Sequence, residues 1–230
     1  MKTIWLLWWM SWESSLEYYR IINEETKKRL WWLNSAKVLM HSVNFQEIEK
    51  LQHEWNWEKL TDIMIKNAKS LEKWWADCIL ICTNTMHLMA EDIERNTNIP
   101  LLHIADWTAV KIKKKNIKTI ALLWTNFTME KDFYKWRLTN NHWLKVIIPS
   151  KWERNLIHKI IYNELCLGDV KEESKKIYSD IINNLRKNWA EWVILWCTEI
   201  WLLVKQKDSS LPIFDTTEIH ALAAVSFANN

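Results

Sequence analysis

The chain has 230 residues, 49% of them apolar and 26% charged, with a net charge of +3. That length fills one large or two small domains. The composition excludes a disordered chain, and the near-balanced charge gives no reason to expect nucleic acid or an anionic membrane as a partner.

Strand-like and helix-like runs alternate along the chain. Thr3–Leu7 reads as a strand, Ser14–Leu30 as a helix starting near Ser11, and Ala36–Ser42 as a strand. Trp57–Lys73 is helical, with Leu60, Ile63, Met64, Ala68 and Leu71 on one side. Next come strand Cys78–Cys82, helix Met86–Arg95, strand Leu101–Ile104, helix Thr108–Lys114 and strand Thr119–Leu123. Then come helix Phe127–Arg137, strand Leu144–Ile148, and helices Trp152–Cys166 and Glu172–Asn188. Strand Val193–Trp196, a short helix Glu199–Leu203, strand Ile213–Asp215 and helix Thr217–Ala228 complete the chain. This alternation predicts an α/β fold with parallel sheets flanked by helices.

The chain also repeats itself. Lys2-Thr3-Ile4-Trp5-Leu6-Leu7-Trp8 matches Lys118-Thr119-Ile120-Ala121-Leu122-Leu123-Trp124, and Cys82-Thr83 matches Cys197-Thr198. Two pseudo-symmetric α/β domains are expected: residues 1–104 completed by 213–230, and residues 105–212. Ligands of open parallel sheets bind beyond the carboxyl ends of strands. The two Cys-Thr strand ends are therefore expected to meet across one cleft.

One count is abnormal: a single Gly stands beside 19 Trp, where average usage predicts about 16 Gly. Position explains it. Trp8-Trp9 and Trp124 come after apolar strands, Trp31-Trp32, Trp74-Trp75, Trp143 and Trp189 sit at helix ends, and Trp196 precedes a Cys. Helix ends and tight turns are glycine places. About 16 of the 19 Trp are read as standing where glycine belongs, with Trp12, Trp57 and Trp107 as genuine. The cost is roughly 1–2 kcal/mol for each residue forced left-handed, against a typical stability of roughly 5–15 kcal/mol. A natural or engineered Trp-rich binding protein without catalysis is the other reading.

No secretory signal and no 18-residue apolar stretch is seen, so a cytoplasmic chain without a membrane partner is expected. The four Cys show no zinc spacing, so no metal is expected, and they read as free thiols. Cys78 and Cys166 read as small buried hydrophobes. Cys82 and Cys197 differ, because each ends a strand ahead of a polar segment and a helix. Amides at the helix start are expected to lower the thiol pKa. Two equivalent thiols suit proton removal from one face of a carbon stereocentre and return at the other. Thr83, Asn84, Thr85 and Thr198 would stabilise an enolate-like carboxylate. His87 and His220 read as helix-start or packing residues rather than bases. Glu199 orients Cys197 or caps a helix. The basic run Lys113–Lys115 reads as a solvated helix end.

Four segments carry a resemblance: Met10-Ser11-Trp12-Glu13-Ser14, Cys82-Thr83-Asn84-Thr85-Met86-His87, Glu164-Leu165-Cys166-Leu167-Gly168 and Trp196-Cys197-Thr198-Glu199-Ile200. Together they make the chain similar to the aspartate/glutamate racemase family along its whole length. That family has glycine where this chain has Trp8-Trp9, Trp196 and Trp201. The resemblance implies a pyridoxal-independent amino-acid racemase, commonly a homodimer, with no cofactor and a small acidic amino acid as substrate. It implies catalytic roles for Cys82 and Cys197. Substrate contacts would fall on Met10, Gln46, Thr83, Asn84, Thr85, Thr125, Lys171 and Thr198. A two-cysteine relative of the hydantoin racemase or maleate isomerase type is the alternative. With indoles at the glycine places, the chain as written is expected to be inactive.

Overall fold

The structure, a computed structural model, describes residues 1–8, 12–126, 129, 132–195 and 200–229. These divide into two units, 1–104 with 217–230, and 105–216. The first contains β1 (Ile4–Trp8), α1 (Trp12–Leu30), β2 (Val38–Ser42), α2 (Phe45–His53), α3 (Trp57–Glu72), β3 (Cys78–Ile81), a 3-10 helix (Thr85–Met89) and α4 (Ala90–Asn96). Its sheet is parallel with order β2-β1-β3, in the register Ile4↔Val38 and Ile4↔Cys78.

The second unit contains α5 (Ile104–Lys114), β4 (Thr119–Leu123), α6 (Asp132–Trp136), a π-helical turn (Arg137–Asn141), β5 (Lys145–Ile147) and α7 (Lys151–Asn163). It continues through a 3-10 turn (Leu165–Leu167), α8 (Glu172–Lys187), β6 (Trp192–Leu195), α9 (Ile200–Leu203) and β7 (Ile213–Asp215). Its sheet is parallel with order β5-β4-β6-β7. The last helix, α10 (Thr216–Asn229), returns to the first unit, where the Lys2 amide donates to the Ala228 carbonyl.

Local chemistry accounts for these elements. All four residues of β3 are buried, as expected of a parallel strand covered on both faces. Helix α7 starts on a capping box between Ser150 and Glu153. Asn44 Oδ1 accepts from the Gln46 amide at the start of α2. One apolar core joins Trp5, Leu7, Ile79 and Ile81 of the sheet to Ile48, Leu60, Met64 and Ile93 of the helices.

Three expectations need correction. Residues 213–216 lie in the second unit, not the first, because β7 pairs with β6, Val193 opposite Ile213. Leu101–Ile104 is not a strand: Leu101 makes one bridge to Ile79, and Ile104 already begins α5. Helix α2 stands where the sequence reading assigns no element. The expected helix 127–137 falls partly on residues 127, 128, 130 and 131, outside the described ones.

Among the described residues six Trp hold positive φ, Trp31, Trp32, Trp55, Trp75, Trp143 and Trp189, beside Asn116 and Gly168. Three of these left-handed sites show a common pattern. The Trp189 amide donates to Arg186 O and the Ala190 amide to Leu185 O. The Trp55 amide donates to Gln52 O and the Asn56 amide to Leu51 O. The Gly168 amide donates to Leu165 O and the Asp169 amide to Glu164 O. Each is a Schellman ending, with its left-handed residue just past the helix. The indoles point into solvent, Trp143 being 86% exposed.

Candidate active site

The sheet order locates the site. In the first unit the chain passes from β1 to β2 on one side and then to β3 on the other. The carboxyl ends of β1 and β3 therefore form a topological switch point, where open α/β sheets bind ligands. Cys82 stands there, its amide donating to Leu7 O at 2.9 Å. In the second unit the same switch falls between β4 and β6. Thr125 lies just past β4, and Cys197 is one of the four residues after β6 that are outside the described ones.

Cys82 is 1% exposed, with Sγ 3.8 Å from Leu80 O. Burial pushes its thiol well above the ordinary value. This is opposite in direction to the lowering expected from a helix start. The cause is loss of water around a thiolate, and the next element is only the five-residue 3-10 helix Thr85–Met89. Cys78 is likewise buried and its thiol is pushed up to about 12, mainly by burial. Burial thus favours the neutral thiol over the thiolate at both.

Thr83, Asn84 and Thr85 come directly after Cys82 and are all buried. Among the described residues, Thr83 Oγ1 and Thr125 Oγ1 are buried without a hydrogen-bond partner. A buried orphan hydroxyl costs roughly 1–3 kcal/mol, so both sites suit a polar ligand atom. Gln46 lies in the first turn of α2 and is exposed. Lys171, just ahead of α8, is exposed and pairs with Asp169 at 3.2 Å and Glu164 at 3.5 Å. Its ammonium is raised above its ordinary value, chiefly by the hydrogen bond to Asp169. Glu164 is held in turn by Ser174 Oγ at 2.6 Å. Met10, Cys197 and Thr198 are outside the described residues.

Behind the Cys82 turn lies a buried polar cluster. His87 Nδ1 is 2.9 Å from Thr83 O, and its ring lies 4.6 Å from that of His103 and 5.9 Å from that of His220. Tyr18 Oη is 2.9 Å from His220 Nδ1. The sequence reading singles out His87 and His220 but not Tyr18 or His103. For His103 a signal exists, a lone polar residue in the run Leu101-Leu102-His103-Ile104-Ala105. Among the described residues no three His, Cys, Asp or Glu gather to hold a metal, and no helix is long and apolar enough to cross a membrane.

A parallel α/β unit with a cysteine and buried polar side chains at its switch point is placed to bind a small molecule, and the comparisons give the class. The family model described as Asp/Glu/Hydantoin racemase matches residues 7–224, and the chain belongs to that family. By that membership it is an amino-acid racemase. The chain is similar to the structure of a putative Asp/Glu racemase from Yersinia pestis, with 46% identity and a TM-score of 0.93 over all of both chains. It is also similar to an aspartate racemase homologue from Pyrococcus horikoshii OT3, with 33% identity and a TM-score of 0.85, again over all of both chains. A broad specificity amino-acid racemase of Bacillus subtilis (strain 168) is 25% identical over 171 residues, 74% of this chain and 72% of that protein.

Proposed function

We propose that the scaffold, with glycine at the turn positions now held by Trp, racemises an acidic amino acid, aspartate ahead of glutamate. The observation that carries this is Cys82 at the switch point, beside the partnerless Thr83 hydroxyl, matched in sequence by Cys197-Thr198. The Sγ of one cysteine, as thiolate, takes the Cα proton and becomes a thiol. The other thiol gives its proton to the opposite face and is left as thiolate. For the other enantiomer the roles reverse.

A buried neutral thiol needs a cation to ionise, and the substrate's own ammonium group supplies one as it enters. Thr83, Asn84 and Thr85 on one side and Thr198 on the other would hold the carboxylate, whose charge grows as the proton leaves. Met10, Gln46, Thr125 and Lys171 complete the proposed contacts. Lys171 is exposed and cationic, and an acidic side chain would have to compete with Glu164 and Asp169 for its ammonium. The reaction would need neither pyridoxal phosphate nor a metal. Free thiols fit a reducing cytoplasm, and a homodimer is the proposed assembly.

The test is D-aspartate formation from L-aspartate in buffer free of pyridoxal phosphate, with glutamate as competitor. Turnover of a hydantoin or maleate, with none of aspartate, would favour the alternative within the family. Metal-dependent loss and recovery of activity on chelation and add-back would count against the cofactor-free reading.

A further inference from the structure

His87 is buried, and its two ring nitrogens are both engaged by main chain. Nδ1 lies 2.9 Å from the Thr83 carbonyl oxygen, and the Ile104 amide approaches Nε2 at 3.4 Å. A carbonyl needs a donor and an amide needs an acceptor. The ring is therefore neutral, with its proton on Nδ1. Both contacts lie within the first unit.

The first contact has a consequence for the site. The Thr83–Asn84 peptide is planar and trans, so a ring that holds its carbonyl oxygen fixes the orientation of the whole unit. The backbone bond from the His87 amide to Asn84 O, at 3.1 Å, closes the same turn. This turn carries Thr83, directly after Cys82, with its hydroxyl buried and partnerless among the described residues. The Thr83 hydroxyl takes no part in the bonds that hold this turn. His103 packs edge-on against the His87 ring, at 4.6 Å, and limits its rotation.

We infer that His87 is a positioning residue for the racemase: its Nδ1–H pins the Thr83 carbonyl and so aims the Thr83 hydroxyl at the substrate carboxylate. This rests on the proposed function for the role of Thr83, but not for the geometry. His87 itself touches no substrate, since neither nitrogen is left over.

Two variants separate this role from plain packing. His87→Asn keeps an N–H at the reach of Nδ1, whereas His87→Leu fills the space without a donor. In the glycine-bearing chain, His87→Leu is expected to raise KM for aspartate about tenfold and to lower kcat about threefold, a loss of carboxylate binding that deepens as charge grows in the transition state. His87→Asn should recover most of that KM. Crystal structures of the parent and His87→Leu should show the Thr83–Asn84 peptide turned in the variant. An unturned peptide overturns the inference, as does an unchanged KM in a racemising parent. If the parent racemises no acidic amino acid, the proposed function fails. The peptide orientation and the Nδ1–H tautomer, read by imidazole 15N NMR, then decide the inference by themselves.

Discussion

Tyr18 and His220, 202 positions apart, meet in the interior with Oη 2.9 Å from Nδ1. The His220 Nε2 nitrogen faces Leu102 O, so Nε2 carries the proton and Nδ1 accepts from the tyrosine. The ring is neutral, closed on both sides, and neighboured by the rings of Tyr18 and His87.

Burial lowers the His220 pKa to about 4 against an ordinary 6.5. The folded chain therefore resists a proton that the unfolded chain accepts. This contribution is fully present above about pH 6.5, is lost as pH falls toward 4, and levels off below. Its size is about 3 kcal/mol. Urea unfolding at pH 7.5 and 4.5 should show the loss, and His220→Gln should show less of it. Equal pH slopes in the two chains would contradict the assignment.

The two thiols should be separable by face. In the glycine-bearing chain, Cys82→Ser and Cys197→Ser should each abolish racemisation while leaving solvent deuterium exchange at Cα of one enantiomer. Opposite enantiomers should survive in the two variants. Near-normal turnover in either one would exclude a pair of bases.

Asp106 holds the π-helical turn. It takes Arg137 Nε at 2.8 Å and Nη2 at 2.6 Å, and His142 Nε2 lies 2.9 Å from it. Arg137 and His142 hold its carboxyl below the ordinary range against the opposing effect of burial. Replacing Asp106 with Ala takes a bidentate carboxylate away from a half-buried guanidinium, and about 1–3 kcal/mol of stability should go with it. Chemical denaturation measures this, and a change under about 0.5 kcal/mol, the scale of ordinary surface substitutions, would show the network to be idle.

Trp-to-Gly changes should divide by backbone conformation. At Trp143 and Trp189, where φ is 57° and 70°, glycine removes left-handed strain and should add about 1 kcal/mol each. At Trp152, inside α7, glycine should cost about 0.5–1 kcal/mol. Thermal melts of the three single variants check the pattern, and a gain at Trp152 equal to the others would break it. Trp8, Trp9 and Trp196 are expected to act on activity. Titration of aspartate against the chain as written should give no binding, and turnover by that chain would refute the reading of those indoles as obstructions.

Much of the fold was legible because parallel strands announce themselves as apolar runs. Thr119–Leu123 and Ile213–Asp215 stand as read, and the strand repeat between residues 2–8 and 118–124 marks the two sheets. Leu101–Ile104 misled for the same reason: an apolar run of four fits a strand or the buried entry to a helix. Helix α2 was missed although Asn44 caps it and Ile48 and Leu51 are buried on one side, because nine residues give only two turns of pattern. Cys82 was placed correctly at a strand end, but its electrostatics were not. A helix start is visible in sequence, whereas the depth of burial that outweighs it comes from strands and helices distant in the chain. Tyr18 meeting His220 left no trace in local sequence at all.

The left-handed helix endings carry a last consequence, which concerns translation. Mutation working base by base on glycine codons would scatter alanine, serine, aspartate, arginine and valine across the left-handed sites. Instead six of the eight left-handed sites among the described residues bear Trp, at 31, 32, 55, 75, 143 and 189, beside Asn116 and Gly168. A uniform exchange would follow from how a codon is decoded rather than from how a gene drifted. A codon assigned to glycine in the cell of origin, but read as tryptophan, would yield most of the 19 Trp beside the single Gly. Gly168 would then be a glycine spelled with another codon. Peptide sequencing of the protein made by that cell is expected to find glycine at all six sites, in a chain lighter at each by the mass of an indolylmethyl group less a hydrogen.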